Sequence, residues 1–181
     1  ILIKMDNLNI LFVGVSGSGK SSLISAVLRE YYNEIDSNDN IMYINTLKEQ
    51  GISYYRNDVK IFCQTACNIL GKKKILVLDD LDIINEQSQQ VFRNFIDKYS
   101  HNVHFIASCS NTNKIIESIQ SRINSIKIKA LRDSNLSKIM KRICKIENIS
   151  ITNEAEEFII SISSNSVRTM VNYLEKFKLL D

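Results

Sequence analysis

Three features of this 181-residue sequence predict an α/β fold: a parallel sheet flanked by helices, followed by a small all-helical segment. Short apolar runs alternate with amphipathic stretches of helical period, the pattern of a sheet covered on both faces. A glycine-rich turn, "GVSGSGKSS" from Gly14 to Ser22, joins the first apolar run to the first helical stretch. After Ala130 the alternation stops and only helical spacing remains.

Taken in chain order, "NILFVGV", "IMYINTL", "KKILVLDD", "VHFIASCS" and "SIKIKAL" read as strands. Between them, Leu23, Val27 and Leu28 form one apolar stripe, Val59, Phe62, Cys63 and Ala66 a second, and Val91, Phe92, Phe95 and Ile96 a third. Cys63 and Cys67 are expected to pack in the second helix, and Lys72, Lys73 and Lys74 to form a solvated turn. The last third holds helical segments from Asn135 to Glu147, Asn153 to Ser163 and Ser166 to Leu180. Leu136, Ile139, Ile143 and Ile146 share the apolar face of the first, opposite Lys138, Lys141, Arg142 and Lys145. The expected division is a nucleotide-binding core over 1–130 and a helical lid over 131–181. It rests on the change of period, because the sequence has no proline or low-complexity linker to mark it.

Composition narrows the class. With 44% hydrophobic residues the chain can bury a sizeable core, and a net charge of +3 permits an acidic partner without requiring one. Four cysteines without paired C-x-x-C spacing argue against a zinc site and for a reduced, intracellular chain. No apolar run approaches the roughly 18 residues of a membrane span, and no signal peptide is visible, so the expectation is a soluble protein with no membrane partner.

Gly14, Gly19, Lys20 and Ser21 fit G-x-x-x-x-G-K-[ST], in the strand-to-helix context that makes the motif a phosphate site. Glycines let successive N–H groups turn around phosphate oxygens, the helix N-terminus favours negative charge, Lys20 reaches the outer phosphates and Ser21 ligates magnesium. Gly14, Ser16, Gly17, Ser18, Gly19, Lys20, Ser21 and Ser22 are therefore the candidate nucleotide-binding residues, with ATP and Mg2+ as cofactors. A second element, "ILVLDDLD" from Ile75 to Asp82, is an apolar strand ending in carboxylates. Asp79 is expected to hold magnesium through water, and Asp80 to orient or deprotonate the attacking water.

These and further stretches resemble the small subunits of the AAA+ sliding-clamp loader, the replication factor C family. "NTLKEQGISYYRNDVKIF" resembles its second strand and helix, with Gly51 and Arg56 at the glycine and arginine of "RGI...R"; "NEQSQQVFRNFIDKYS" resembles the helix carrying "AQQALRR". "FIASCSNTNKIIESIQSRI" is similar to the stretch with "CN...KIIEPIQSRC", matching Lys114, Ser121 and Arg122, and "NSVRTMV" stands at the "GDMRRAL" element of the lid, with Arg168 at its arginine. The resemblance implies that Arg122 is an arginine finger entering a neighbouring subunit's ATP site, and that Arg168 reaches the nucleotide of its own subunit. It implies that Ser110 stands at the family's phosphate-sensing asparagine. Arg56 and Lys114 are either contacts to DNA phosphates or ordinary solvated side chains.

The sequence also departs from the family pattern. Asp80 replaces a glutamate, Ser110 the asparagine, Ile123 a cysteine, and Asn165 and Ser166 the glycine and aspartate of the lid motif. ATP binding is expected to be retained and hydrolysis to be slow. The adenine-holding segment and the C-terminal collar are nearly absent from these residues, so the chain is expected to be the core and lid of a diverged subunit. The implied function is an ATPase subunit that works with other clamp-loader subunits in a ring or spiral, a sliding clamp and primer-template DNA, in a nucleus, cytoplasm or viral replication site. The alternatives are a structural subunit with little turnover that supplies Arg122 to a neighbour, a replication-initiator ATPase, or a phosphate-loop kinase.

Overall fold

The computed structural model describes residues 7–33, 38–45 and 52–180. The chain divides into two compact units, one of residues 1–13 and 20–127, the other of residues 14–19 and 128–181.

In the first unit, five strands form a single sheet in the order β2-β3-β4-β1-β5: β1 (Ile10–Val13), β2 (Ile41–Asn45), β3 (Lys74–Asp79), β4 (Val103–Cys109) and β5 (Asn124–Lys127). Every pairing is parallel, so every strand ends at the same edge of the sheet. Parallel strands need crossovers, and α1 (Lys20–Tyr32), α2 (Ile52–Gln64) and α3 (Glu86–Tyr99) supply three of them. Successive strand residues face opposite ways. Leu76 and Leu78 join Val59 and Cys63 of α2 and Phe92, Phe95 and Ile96 of α3 in one apolar core. Ile75 and Val77 are as deeply buried on the other face, where His104 of β4 meets Tyr31 of α1 at a ring-centroid distance of 5.5 Å. β5 is exposed along most of its length and carries Lys127, as suits an edge strand.

Local chemistry sets the helix ends. Asn85 caps α3 by accepting from the Ser88 N–H at 2.9 Å. A short α4 (Glu117–Gln120) lies between β4 and β5, and Arg122 follows it.

The second unit holds α5 (Asp133–Glu147), α6 (Asn153–Ile162) and α7 (Val167–Leu180) around Leu136, Met140, Ile159, Met170 and Leu174. Asn148 ends α5 in the left-handed region at φ 55, and Thr152 caps α6 by accepting from Ala155 N–H. Among the described residues no helix is long and apolar enough to cross a membrane.

Several side chains differ from the sequence expectation. Leu23 is exposed and the buried stripe of α1 is Ile24, Leu28, Tyr31 and Tyr32. Periodicity located the helix but not the phase of its stripe, because both phases are rich in apolar residues. Ala66 and Cys67 lie beyond the end of α2, and Ile146 is 65% exposed while Met140 takes the core position. Lys74 is not part of a solvated turn. It is buried, with Nζ donating to Thr65 Oγ1 at 2.5 Å and lying 4.7 Å from the centre of the Phe62 ring. Gly51 and the end of "IMYINTL" fall outside the described residues.

Candidate nucleotide site

Ligands of open parallel sheets gather outside the carboxyl ends of the strands. At that edge of the first unit, β1 ends at Val13, β3 at Asp79 and β4 at Cys109. Register aligns Phe12 with Ser108 and Leu78 with Ala107, so the residues that close β3 and β4 lie side by side.

A chain of hydrogen bonds connects them. Ser21, in the first turn of α1, donates to Asp79 Oδ2 at 2.7 Å. Ser108, fully buried on β4, donates to Asp79 Oδ1 at 2.5 Å and accepts from the Asp80 N–H at 3.0 Å. Both Asp79 oxygens are therefore oriented, and a hydroxyl and a carboxylate stand together as a pair of hard oxygen donors. Lys20 is 6% exposed and donates through Nζ to Ser110 Oγ at 3.3 Å. Asp82 accepts from the backbone N–H groups of Ser110 and Asn111 at 3.1 and 3.0 Å, fastening the turn after β4 to the turn after β3. Asn111 is occupied as a cap, accepting from Asn113 N–H, so it is Ser110 that meets Lys20.

Asp80 begins a 3-10 turn (Leu81–Ile83) with φ 55 and ψ 52. That left-handed geometry is one that aspartate tolerates better than most residues. Cys109 lies beside this cluster, and burial, with a smaller contribution from the Asp82 charge, pushes its thiol up to about 11.

The loop from Gly14 to Gly19 belongs to the second unit and is built for close approach. Gly17 has φ 75, and a Cβ there would stand 2.2 Å from Ser166 Oγ and 3.3 Å from Arg168 Cβ. Gly19 has φ 91 with open space around it. Ser18 Oγ is buried and has no hydrogen-bond partner among the described residues. Such a hydroxyl is costly to leave unmet, and a phosphate oxygen is a fitting acceptor. Ser16 is exposed in the turn, and Ser22 is exposed on α1.

At the start of α7, Asn165 is left-handed at φ 64 and Ser166 accepts from the Thr169 N–H at 3.3 Å; Arg168 is exposed in the first turn of the helix. Arg122 is one-third exposed and bonded to Asp97 of α3. Arg56 lies exposed on α2 and Lys114 exposed in the 3-10 turn after β4.

Sequence reading missed Ser108, Asp82, Gln89 and Asp97. A serine inside the apolar run "VHFIASC" was the available signal for Ser108. Gln89 is buried in α3, donating to the carbonyls of Ile84 and Lys114 and accepting from the Ile116 N–H, each at 2.9 Å. Its partners come from two separate segments, one before α3 and one after β4, and no local pattern announces the second.

Comparison with known proteins settles the family. Residues 10–131 match the family described as AAA, ATPase family associated with various cellular activities. The chain belongs to the AAA family. This AAA chain is 32% identical over 173 residues to the replication factor C small subunit of Methanosarcina mazei, covering 96% of this chain and 51% of that protein. It is 30% identical over 168 residues to replication factor C subunit 4 of Saccharomyces cerevisiae, covering 92% and 52% respectively. The chain thus spans about half the length of the curated relatives it matches. Among solved structures, a Thermotoga maritima RuvB variant superposes with a TM-score of 0.72 at 14% identity, over 94% of this chain and 55% of that one, which is agreement in fold. The parallel sheet with its flanking and C-terminal helices is therefore an AAA nucleotide-binding fold, as the sequence predicted.

Proposed function

We propose that this AAA chain binds and hydrolyses ATP with Mg2+ as a subunit of a DNA sliding-clamp loader, working with similar subunits, a ring-shaped clamp and primer-template DNA. One observation carries the nucleotide reading: Ser21 and Asp79, 58 residues apart, meet at 2.7 Å beside Lys20 at the carboxyl edge of the sheet. Likeness to replication factor C subunits supplies the clamp-loader context.

The residues fit magnesium nucleotide. No group of three or more His, Cys, Asp or Glu side chains is placed to hold a metal among the described residues, and magnesium at a phosphate site needs none. It is commonly held by one or two carboxylates plus the substrate's own phosphates. When bound, the ion would offset the charge that develops on the phosphates. Ser21 and Asp79 are the residues that would hold it. Lys20, kept in place by Ser110, places its ammonium at the outer phosphates. Asp80 orients the attacking water and accepts its proton.

Arg122 acts in trans on the neighbouring subunit, where a fixed guanidinium offsets transition-state charge. Arg168 acts in cis. Arg56 and Lys114 contact DNA phosphates without reading sequence. The core-and-lid division at residue 130 belongs to the same proposal.

A titration with ATP and magnesium tests the site. Lys20→Ala is expected to abolish binding, because backbone N–H groups alone cannot offset the phosphate charge. Equal affinity in parent and variant contradicts the assignment.

A further inference from the structure

Arg122 is held rather than free. Its Nε donates to Asp97 Oδ1 at 2.5 Å, and its Nη1 donates to the Ser118 carbonyl at 2.7 Å and to Ser121 Oγ at 3.3 Å. A guanidinium has five N–H donors. Three are taken by these contacts, one on Nε and two on Nη1, and the two on Nη2 make no hydrogen bond among the described residues. An arginine held at Nε and Nη1 with Nη2 open is set to bind something outside this chain.

Asp97 is itself fixed. It lies in the last turns of α3 between Phe95, Ile96 and Tyr99, which are buried in the core, and its second oxygen accepts from Arg93 Nη1 at 3.4 Å. The Arg122 guanidinium holds the Asp97 carboxyl below the usual carboxylate range, so it is anionic at neutral pH. An ion pair this exposed contributes little to folding. What it does is restrict a long side chain that otherwise samples many rotamers.

We propose that Asp97 is the positioning residue of Arg122, presetting its guanidinium, with Ser118 and Ser121, so that Nη2 meets a phosphate of the neighbouring subunit's nucleotide without a search through rotamers. The inference rests on the reading of Arg122 as acting in trans. Preset geometry matters because misplacement of about 1 Å can cost on the order of a hundredfold in rate. It predicts that the neighbouring site requires a charged acceptor at Nε, so that a carboxylate one methylene longer serves better than the isosteric amide.

The test uses the full-length protein in the complex with its partner subunits, with kcat and KM for ATP measured for parent, Asp97→Asn, Asp97→Glu, Arg122→Ala and the Asp97→Asn/Arg122→Ala pair. Asp97→Asn is expected to lower kcat about tenfold with KM unchanged, as loss of preset geometry predicts. Asp97→Glu is expected to recover most of that loss, and Arg122→Ala to cost more than Asp97→Asn. In the paired variant Asp97→Asn is expected to add nothing, the signature of action through Arg122. The Arg122 Nε–H resonance is expected to be seen in the parent and lost in Asp97→Asn while the rest of the spectrum is kept. Parental kcat in Asp97→Asn alongside an impaired Arg122→Ala overturns the proposal, as does an additive loss in the paired variant. Parental kcat in Arg122→Ala overturns the trans reading, and the positioning role with it.

Discussion

The turn before α7 and the turn after β3 both depart from the replication factor C pattern, and they do so in different ways. Before α7, Asn165 stands where the pattern has glycine and adopts φ 64, the left-handed conformation that glycine favours and asparagine tolerates. Ser166 stands for aspartate and still caps the helix through the Thr169 N–H. Both replacements keep the backbone event they replace. After β3, Asp80 stands for glutamate, and the left-handed turn at φ 55 is braced by Ser108, yet the side chain is one carbon shorter. Conformation can be met by more than one residue type; reach cannot. Departures from a family pattern therefore weigh differently according to whether the residue serves the backbone or the reacting atoms.

The comparison can be broken at its points of support, and the largest effect is expected at Ser108. Ser108→Ala removes the donor to Asp79 and the acceptor of the Asp80 N–H. An unsatisfied buried group costs about 1–3 kcal/mol. Turnover should fall more than tenfold, by analogy with misplacement of about 1 Å, while ATP affinity changes little. A Ser108→Ala protein with parental turnover would separate the β4 serine from the site.

Next comes Gly17→Ala. Left-handed strain of roughly 1–3 kcal/mol adds to a collision with Ser166 Oγ, whose position is 2.2 Å from the new Cβ. Thermal unfolding should show the loss, and Ser166→Gly in the same chain should return part of it; no recovery would mean that strain alone is responsible. Ser166→Ala on its own is expected to cost about 1 kcal/mol, a typical cap, and Ser166→Asp to be near neutral. A Ser166→Asp variant as unstable as Ser166→Ala would show that capping does not explain the replacement.

Much of this molecule was readable beforehand because its signals are local. Strand runs, the glycine-rich turn and the change of period after Ala130 each lie within one short window, and Lys20, Ser21 and Asp79 could be named from spacing alone. Ser108, Asp82 and Asp97 could not. Their partners lie 29, 28 and 25 residues away, and only the parallel register and the packing of α3 bring them together. Stripe phase was the other failure: Leu23 and Ile24 are both apolar, and only the sheet beneath α1 decides between them.

The smallest effect expected concerns cysteine chemistry beside the site. Burial raises the Cys109 thiol to about 11 and the Cys63 thiol to about 12. Because the thiolate is the disfavoured form, native alkylation at pH 8 should be slow at both. As pH rises, Cys109 should react first. Rapid labelling of Cys109 at pH 8 would show that the strand end opens to solvent.

Single-turnover ATP hydrolysis in the assembled, DNA-stimulated complex is the most direct test of Asp80 as the group that activates water. A base must come within roughly 2.6–3.2 Å of the proton it takes, and the shortened side chain makes a slow parent the expectation. Asp80→Asn is expected to leave ATP bound and abolish turnover, while Asp80→Glu holds or raises it. If Asp80→Asn hydrolyses ATP as fast as the parent, Asp80 is not the base, and the chemistry of the complex belongs to its neighbours' sites.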